Sequence, residues 1–244
     1  MKPSAAPSHA TYAGRNLHGQ VVNELGRRVV GGVYAAGALL PNEDQLCTEL
    51  AVSRTALREA VKVLAAKGLL EPRPRIGTRV RPTEQWNLLD PDILAWRCAT
   101  GADAEFLQHL TALREIIEPS AAALAATSHK PEQLADIAQA LQAMQNATQI
   151  SEWVQADLAF HTAVLKATNN PLLMPLAAII GSALESLLAV SARTSENFKQ
   201  ALPDHQKVFD AIQARDAQSA LHRMAGLLSD TRSLMKRAVI PPPT

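Results

Sequence analysis

Between residues 103 and 238 apolar side chains recur at helical spacing and nowhere alternate as a strand would, which confines most of this chain to an all-helical fold. The segment is rich in Ala, Leu and Gln. Thr127–Lys130 and Asn169–Pro171 interrupt it, and Pro131 and Pro171 stand where a first-turn proline is tolerated. The spacing predicts helices over about 103–127, 131–147, 151–168, 171–192, 199–214 and 217–238, an α-helical bundle spanning 100–240. Its most apolar stretch, LLMPLAAIIGSALESLLAV, is broken by Pro175, Gly181 and Glu185 and reads as a buried bundle helix rather than a membrane span. Cys47 and Cys98 have no motif spacing, which fits a reducing compartment. Residues 1–16 carry no apolar run of signal-peptide length and read as a flexible tail, so a cytoplasmic protein without a membrane partner is expected.

Residues 17–82 follow a different plan. Leu17, Val21, Val22, Leu25, Val29 and Val30 mark a helix that Gly31-Gly32 ends. A short helix begins near Asn42. A third follows Ser53, a plausible N-cap, and stops at Gly68. LLEPRPRIGTRVRP then reads as a hairpin over about 70–80. Within 53–66, Leu57, Ala60, Val61 and Leu64 share one stripe, and Arg54, Arg58 and Lys62 fall at i, i+4 and i+8 on the opposite one. From Arg54 to Arg81 there are eight Lys/Arg against two Asp/Glu, whereas 99–240 holds eleven against fourteen. The net charge of +1 therefore hides a basic front and a mildly acidic remainder. Helix–helix–helix–hairpin with basic residues on the third helix suits a recognition helix in the DNA major groove, where Arg donates to guanine O6 and N7. The hairpin's Arg73, Arg75 and Arg79 would lie beside the backbone or the minor groove. Residues 83–99 read as a connecting segment with aromatic anchors, Trp86 and Trp96.

The stretch LLPNEDQLCTELAVSRTALREAVKVLAAKGLLEPRPRIGTRV resembles the winged helix-turn-helix of the GntR family of bacterial transcription regulators over about 20–81. The resemblance implies operator DNA as a partner. The candidate DNA-binding residues are Ser53, Arg54, Thr55 and Arg58, with Arg75 and Gly77 of the wing. One departure stands out: many members carry Arg where this chain has Asp44. A carboxylate cannot bind phosphate, so either that contact is lost or Asp44 accepts from a cytosine amino group.

In QADLAFHTAVL, Asp157 and His161 lie four apart and share a helix face with Leu158, Val164 and Leu165. A metal site, a catalytic pair and a satisfied buried hydrogen bond are all open from that spacing. His205 opens DHQKVFDAI one turn before the inward face of Val208, Phe209 and Ile212, and would complete an Asp/His/His set suited to Zn, Ni, Fe or Mn. His109 and His129 have polar surroundings and are expected at the surface.

LTALREIIEPSAAALAA, ADLAFHTAVLKATNNPLL and DHQKVFDAIQARDAQSALHRM resemble the all-helical (FCD-type) effector domain of the FadR-type branch of that family, over roughly 100–238. The resemblance implies a divalent metal held by Asp157, His161 and His205. A further family histidine is expected three residues after Met224, where this chain has Leu227; His222 lies five residues earlier, on another face. That would leave a coordination position for water or a ligand oxygen. With QWNLLDPDILAW, the pattern resembles regulators of hexonate (galactonate-type) sugar-acid catabolism. Arg114 matches an effector-facing arginine and would pair with a carboxylate; Glu118, Arg193 and Arg232 are further effector candidates.

Three functions compete. The leading one is a homodimeric, metabolite-responsive regulator, in repressor form, with effector-driven helix shifts relayed through Trp86–Trp96. The second is a metal-dependent enzyme acting on sugar acids, since an Asp/His/His set with an open position is also how catalytic metals are held. The third is a DNA-binding protein whose bundle only dimerises.

Overall fold

The computed structural model describes residues 17–101, 104–182 and 199–239. They form two compact units that divide between Gly101 and Ala102.

The first unit runs α1 (Leu17–Val30), α2 (Glu43–Leu50), α3 (Arg54–Ala66), β1 (Leu70–Arg73), β2 (Gly77–Val80), a 3-10 turn (Thr83–Gln85) and α4 (Pro91–Ala99). Local chemistry sets the helix starts. The Asn42 side chain accepts from the Gln45 amide, and the Gln45 side chain accepts from the Asn42 amide, closing a capping box on α2. Ser53 Oγ accepts from Ala56 N and starts α3. Leu57, Ala60 and Leu64 are fully buried, in one core with Val21, Val22 and Leu25 of α1. β1 and β2 pair antiparallel from Leu70↔Val80 to Arg73↔Gly77, as the hairpin pattern predicts.

Residues 83–99, expected as a connection, are anchored in the core of this unit by Trp86, Ile93 and Trp96. Trp86 Nε1 donates to the Arg81 carbonyl at 2.9 Å. Trp96 on α4 donates to Asn23 Oδ1 of α1 at 2.5 Å, and its ring lies over Gly26, where a Cβ would come within 2.5 Å of ring carbons. Lys67, the residue that ends α3, has Nζ 2.8 Å from Asp90 Oδ2 and 2.7 Å from Asp92 Oδ2, and so ties α3 to α4. Burial disfavours this ammonium, but the two carboxylates outweigh burial and raise it above its ordinary range. Gly26 yields a direct test. Alanine normally stabilises a helix interior by about 1 kcal/mol over glycine. Here Gly26→Ala drives a methyl into the indole and is expected to destabilise by about 1–3 kcal/mol, read from the denaturant midpoint.

The second unit contains α5 (Ala104–Ser128), α6 (Pro131–Asn146), α7 (Ile150–Ala167), a 3-10 segment (Pro171–Leu176), α8 (Leu202–Gln213) and α9 (Ala217–Val239). Ile137 and Met144 of α6, Phe160 and Val164 of α7, Val208 and Ile212 of α8, and Met224, Leu227 and Leu228 of α9 form its core. Ala122, Ala125 and Ala126 bring α5 close to that core. Two expectations are corrected. The helix expected from 171 starts as 3-10, because Pro171 and Pro175 lack the amide an α-helix needs; α-helix follows over 177–182, and the rest of that prediction lies outside the described residues. His129 is buried: its Nδ1 is 2.8 Å from the Ala125 carbonyl, and its own carbonyl accepts from Arg215. No described helix is long and apolar enough to cross a membrane.

Candidate metal centre and nucleic-acid interface

The first unit presents the N-terminal half of α3 to solvent. Ser53, Arg54, Thr55 and Arg58 are all exposed, while the opposite stripe is in the core. Arg54 and Arg58 do not stand alone. Arg54 Nη2 is 2.7 Å from Asp44 Oδ1, and Arg58 donates through Nε and Nη2 to the two Glu43 oxygens at 2.8 and 2.9 Å. Hydrogen bonds from Arg58 hold the Glu43 carboxyl below its usual range. The wing turn carries Arg75, exposed and at φ +63°, a left-handed conformation few non-glycine residues adopt, and Gly77 at φ +120° with open space where a Cβ would be. Arg73, also counted with the wing from sequence, is paired to Glu71 at 2.9 Å.

In the second unit, α5, α7 and α8 bring five polar side chains into the interior. Asp157 and His161 come from α7, His205 from the first turn of α8, and Arg114 and Glu118 from α5. Arg114 and Glu118 are 4% and 2% exposed, and Asp157 is 7% exposed, so the cluster is shielded from bulk water. Asp157 Oδ1 lies 2.9 Å from His205 Nε2 and 3.2 Å from His161 Nε2. The candidate ligand atoms of these three residues all fall within 4.8 Å of one another. The rings are held edge-on by aromatics: Phe160 sits 5.1 Å from His205 and 5.6 Å from His161 between centroids, and Trp153 sits 6.1 Å from His205.

Hydrogen bonding decides what the site can hold. His205 Nδ1 is 2.8 Å from the Ala201 carbonyl, which only accepts, so Nδ1 carries a proton and a neutral ring aims a bare Nε2 at Asp157. Two lone pairs cannot face each other at 2.9 Å unless a cation, either a second proton or a metal ion, lies between them. His161 repeats the arrangement. Its Nδ1 is 2.5 Å from Glu118 Oε2, and its Nε2 faces Asp157. The Glu118 carboxylate only accepts, so this contact keeps a proton on Nδ1. Outer nitrogens held by acceptors, with inner nitrogens converging on a carboxylate, is how proteins orient metal-ligating histidines. The spacings of 2.9 and 3.2 Å approach the roughly 3.4 Å between tetrahedral ligands at zinc distances. The residues present therefore fit a small divalent ion.

In the metal-free site a proton takes the place of that ion, and the charges of the cluster hold it there. Burial alone would raise the Glu118 carboxyl, but Arg114, 2.5 Å away through Nε, and His161 lower it to about 2. Burial likewise opposes ionised Asp157, and His205 and His161 outweigh it, holding that carboxyl far below its usual range. Burial would lower the His161 imidazole, yet Glu118 and Asp157 raise it to about 9. A raised histidine adds stability that is complete below its ordinary value of 6.5 and is lost as pH rises through about 9. The melting temperature of chelator-treated protein should therefore fall across that window, and His161→Gln should flatten the fall.

The structure brings together five of the residues singled out in sequence: Asp157, His161, His205, Arg114 and Glu118. Arg193 lies outside the described residues, and Arg232 stands on α9 with its side chain outside them. Leu227 is 2% exposed in the apolar core, and His222 is exposed with its Nε2 3.2 Å from Gln218. What the sequence did not reveal is that Glu118 holds Arg114 with one oxygen and His161 with the other. Arg114 and Glu118 were legible as an i, i+4 pair, but the link to His161 requires the register of α5 against α7.

Residues 17–80 match the family described as "Bacterial regulatory proteins, gntR family", and residues 109–230 match the "FCD domain". The chain is 35% identical to the galactonate operon transcriptional repressor of Escherichia coli K12, over 90% of this chain and 97% of that protein. It is also 35% identical to the uncharacterized HTH-type transcriptional regulator YieP of the same organism, over 88% and 94%. The Glc operon transcriptional activator of E. coli K12 is 30% identical over 84% and 80%. Among solved structures, the one described as "Lar controls the expression of the Listeria monocytogenes agr system and mediates virulence" superposes with TM-score 0.67 at 18% identity, over 92% of this chain and 98% of that one, a likeness of fold.

Proposed function

The chain belongs to the GntR family of bacterial regulatory proteins and carries an FCD domain, and from that premise we propose a repressor of a sugar-acid catabolic operon whose grip on DNA changes when a hexonate-type carboxylate binds the helical unit. It is a metabolite-responsive, DNA-binding transcription regulator, not an enzyme, which sets aside the reading as a metal-dependent enzyme acting on sugar acids. As a DNA-binding regulator of this family it would act in the cytoplasm.

The observation that carries the effector proposal is the convergence of two imidazole Nε2 atoms on Asp157 beside a buried arginine. Asp157, His161 and His205 would hold a divalent ion, with zinc favoured by two nitrogens and one carboxylate and Ni, Fe or Mn as alternatives. The ion would polarise the α-hydroxy carboxylate of the sugar acid. Arg114 has Nη2 3.4 Å from His161 Nε2, so it stands at the rim of the same ligand set and would donate to the effector carboxylate. Glu118 positions both groups, fixing the Arg114 guanidinium from one side and His161 Nδ1 from the other. Leu227, apolar where the family resemblance leads one to expect a histidine, offers the ion no ligand, so among the described residues a position is left to an effector oxygen.

Response requires that the effector bind two conformations of the protein unequally. A homodimer would read a near-palindromic operator with one α3 per half-site. Ile116 and Leu124 fall on one face of α5 at 70% and 45% exposure, an apolar surface for a second copy to cover. The proposal is tested by metal analysis of the purified protein and a thermal-shift screen of hexonates with and without chelator. A metal-dependent upward shift with a subset of hexonates supports it; no bound metal and no shift would reduce the bundle to a dimerising scaffold.

A further inference from the structure

On the exposed edge of α3 three cations are matched by three acids. Arg54 meets Asp44 at 2.7 Å, Arg58 meets Glu43 at 2.8 Å, and Lys62 meets Glu59 at 2.7 Å. The helix that reads DNA therefore presents a stripe of alternating sign with no net charge. Two of the acids, Glu43 and Asp44, are the first residues of α2, where the helix N-terminus favours negative charge. Arg54 and Asp44 side chains are 65% and 72% exposed, and a pair so solvated contributes little to folding. Fold stability does not account for the arrangement. Its consequence falls on the surface that meets DNA.

Phosphate repels a carboxylate at this place, so Asp44 adds nothing to backbone affinity. It does two other things. It holds the Arg54 guanidinium through one Nη2–H, leaving further N–H groups free for a base. It also keeps acceptor capacity of its own: an ionised carboxylate accepts and cannot donate. In the major groove the exocyclic amino groups of cytosine (N4) and adenine (N6) donate, while guanine O6, guanine N7 and thymine O4 only accept. A carboxylate beside an arginine thus welcomes an amino-bearing base next to a guanine and rejects a keto-bearing one.

Resting on the DNA-binding function of the family, we propose that Asp44 and Arg54 act as one base-reading unit: Arg54 donates to guanine, and Asp44 positions it while accepting from the amino group of a neighbouring cytosine or adenine. Asp44 is then a specificity-determining residue. It weakens binding to arbitrary sequence and sharpens the choice of one operator position. Arg58 and Glu43 form the same kind of couple one turn along, with Arg58 gripped side-on and its Nη1/Nη2 edge left open.

The test uses the full chain and a pool of random-sequence duplexes. Wild type, Asp44→Ala and Asp44→Asn each select from the pool, and the enriched sites are compared position by position. Wild type should enrich sites with an amino-bearing base beside a guanine. Asp44→Ala should relax that one position by roughly ten-fold while keeping the others. Asp44→Asn, which can also donate, should admit keto bases there. Freed of its partner, Arg54 in Asp44→Ala should gain a phosphate, steepening the log–log salt dependence of non-specific binding by about one. Identical base preferences for all three proteins, with only a uniform rise in affinity for the variants, would overturn the reading unit and leave Asp44 as a screening charge. Failure of the wild type to enrich any sequence would remove the DNA-binding premise itself, a different outcome from the former.

Discussion

His161→Ala should remove the response to effector and leave DNA binding in place. His161 is the hinge of the buried cluster: its Nε2 is 3.2 Å from Asp157, and its Nδ1 is 2.5 Å from Glu118. If Asp157, His161 and His205 hold the ion as proposed, loss of one of these three lowers metal affinity by roughly 100-fold or more, since disturbing even an outer partner of a ligand costs about 10–100-fold. Arg114 and Glu118 would remain, but they pair with each other and offer the effector no polarising ion. Equilibrium dialysis or mass spectrometry reads the metal, and thermal shift reads the sugar acid. His161 is fully buried, so truncation also opens a cavity. Asp157→Asn serves as the companion variant because it keeps the volume and removes the charge. Both variants should bind DNA as wild type does, since α3 and the wing belong to the other compact unit. Retained metal and retained hexonate shift in Asp157→Asn would refute the assignment of the ligands.

Arg58→Ala should weaken binding at the cognate site by roughly 10- to 100-fold while changing arbitrary-sequence binding much less. The asymmetry follows from Glu43. In the free protein Arg58 is already neutralised by a two-point hydrogen bond, so it contributes little to non-specific attraction. At the operator it is available to a guanine. Removing it both loses that contact and leaves Glu43 uncompensated at the DNA surface. The double variant Glu43→Ala/Arg58→Ala separates the two effects: relative to Arg58→Ala it should regain the part of cognate affinity lost to the uncompensated carboxylate, but not the discrimination. A gel-shift titration in which Arg58→Ala binds the selected site as tightly as wild type would remove α3 from the role of recognition helix.

Which parts of this arrangement were legible in the sequence follows from the range of the contacts. The two stripes of α3, and Asp157 with His161, are set by spacing within one helix, and spacing is what a sequence displays. His205 was legible because its helix shows an inward face one turn later. Contacts between elements were not. The pairing of Asp44 with Arg54 depends on the left-handed turn at Ala51 that brings α2 and α3 together. The grip of Glu118 on His161 depends on how α5 lies against α7. Residues 83–99 read as a connection because they carry no long apolar period. Their anchorage is one indole fitted where Gly26 lacks a side chain, a complementarity across 70 positions that no periodicity records. His129 read as exposed from its polar neighbours, but at the end of α5 it turns back on the Ala125 carbonyl and is buried there.

The central claim is that a sugar acid bound in the helical unit, through a metal held by Asp157, His161 and His205, alters the grip of α3 on DNA. Fluorescence anisotropy tests it most directly: a labelled duplex carrying the selected site is titrated with metal-loaded protein, with and without galactonate and other hexonates. The account predicts that at least one hexonate changes DNA affinity by roughly ten-fold or more, within the usual range of coupling between sites, and that a chelator abolishes the change. DNA affinity that stays constant across the hexonates in metal-loaded protein would contradict it.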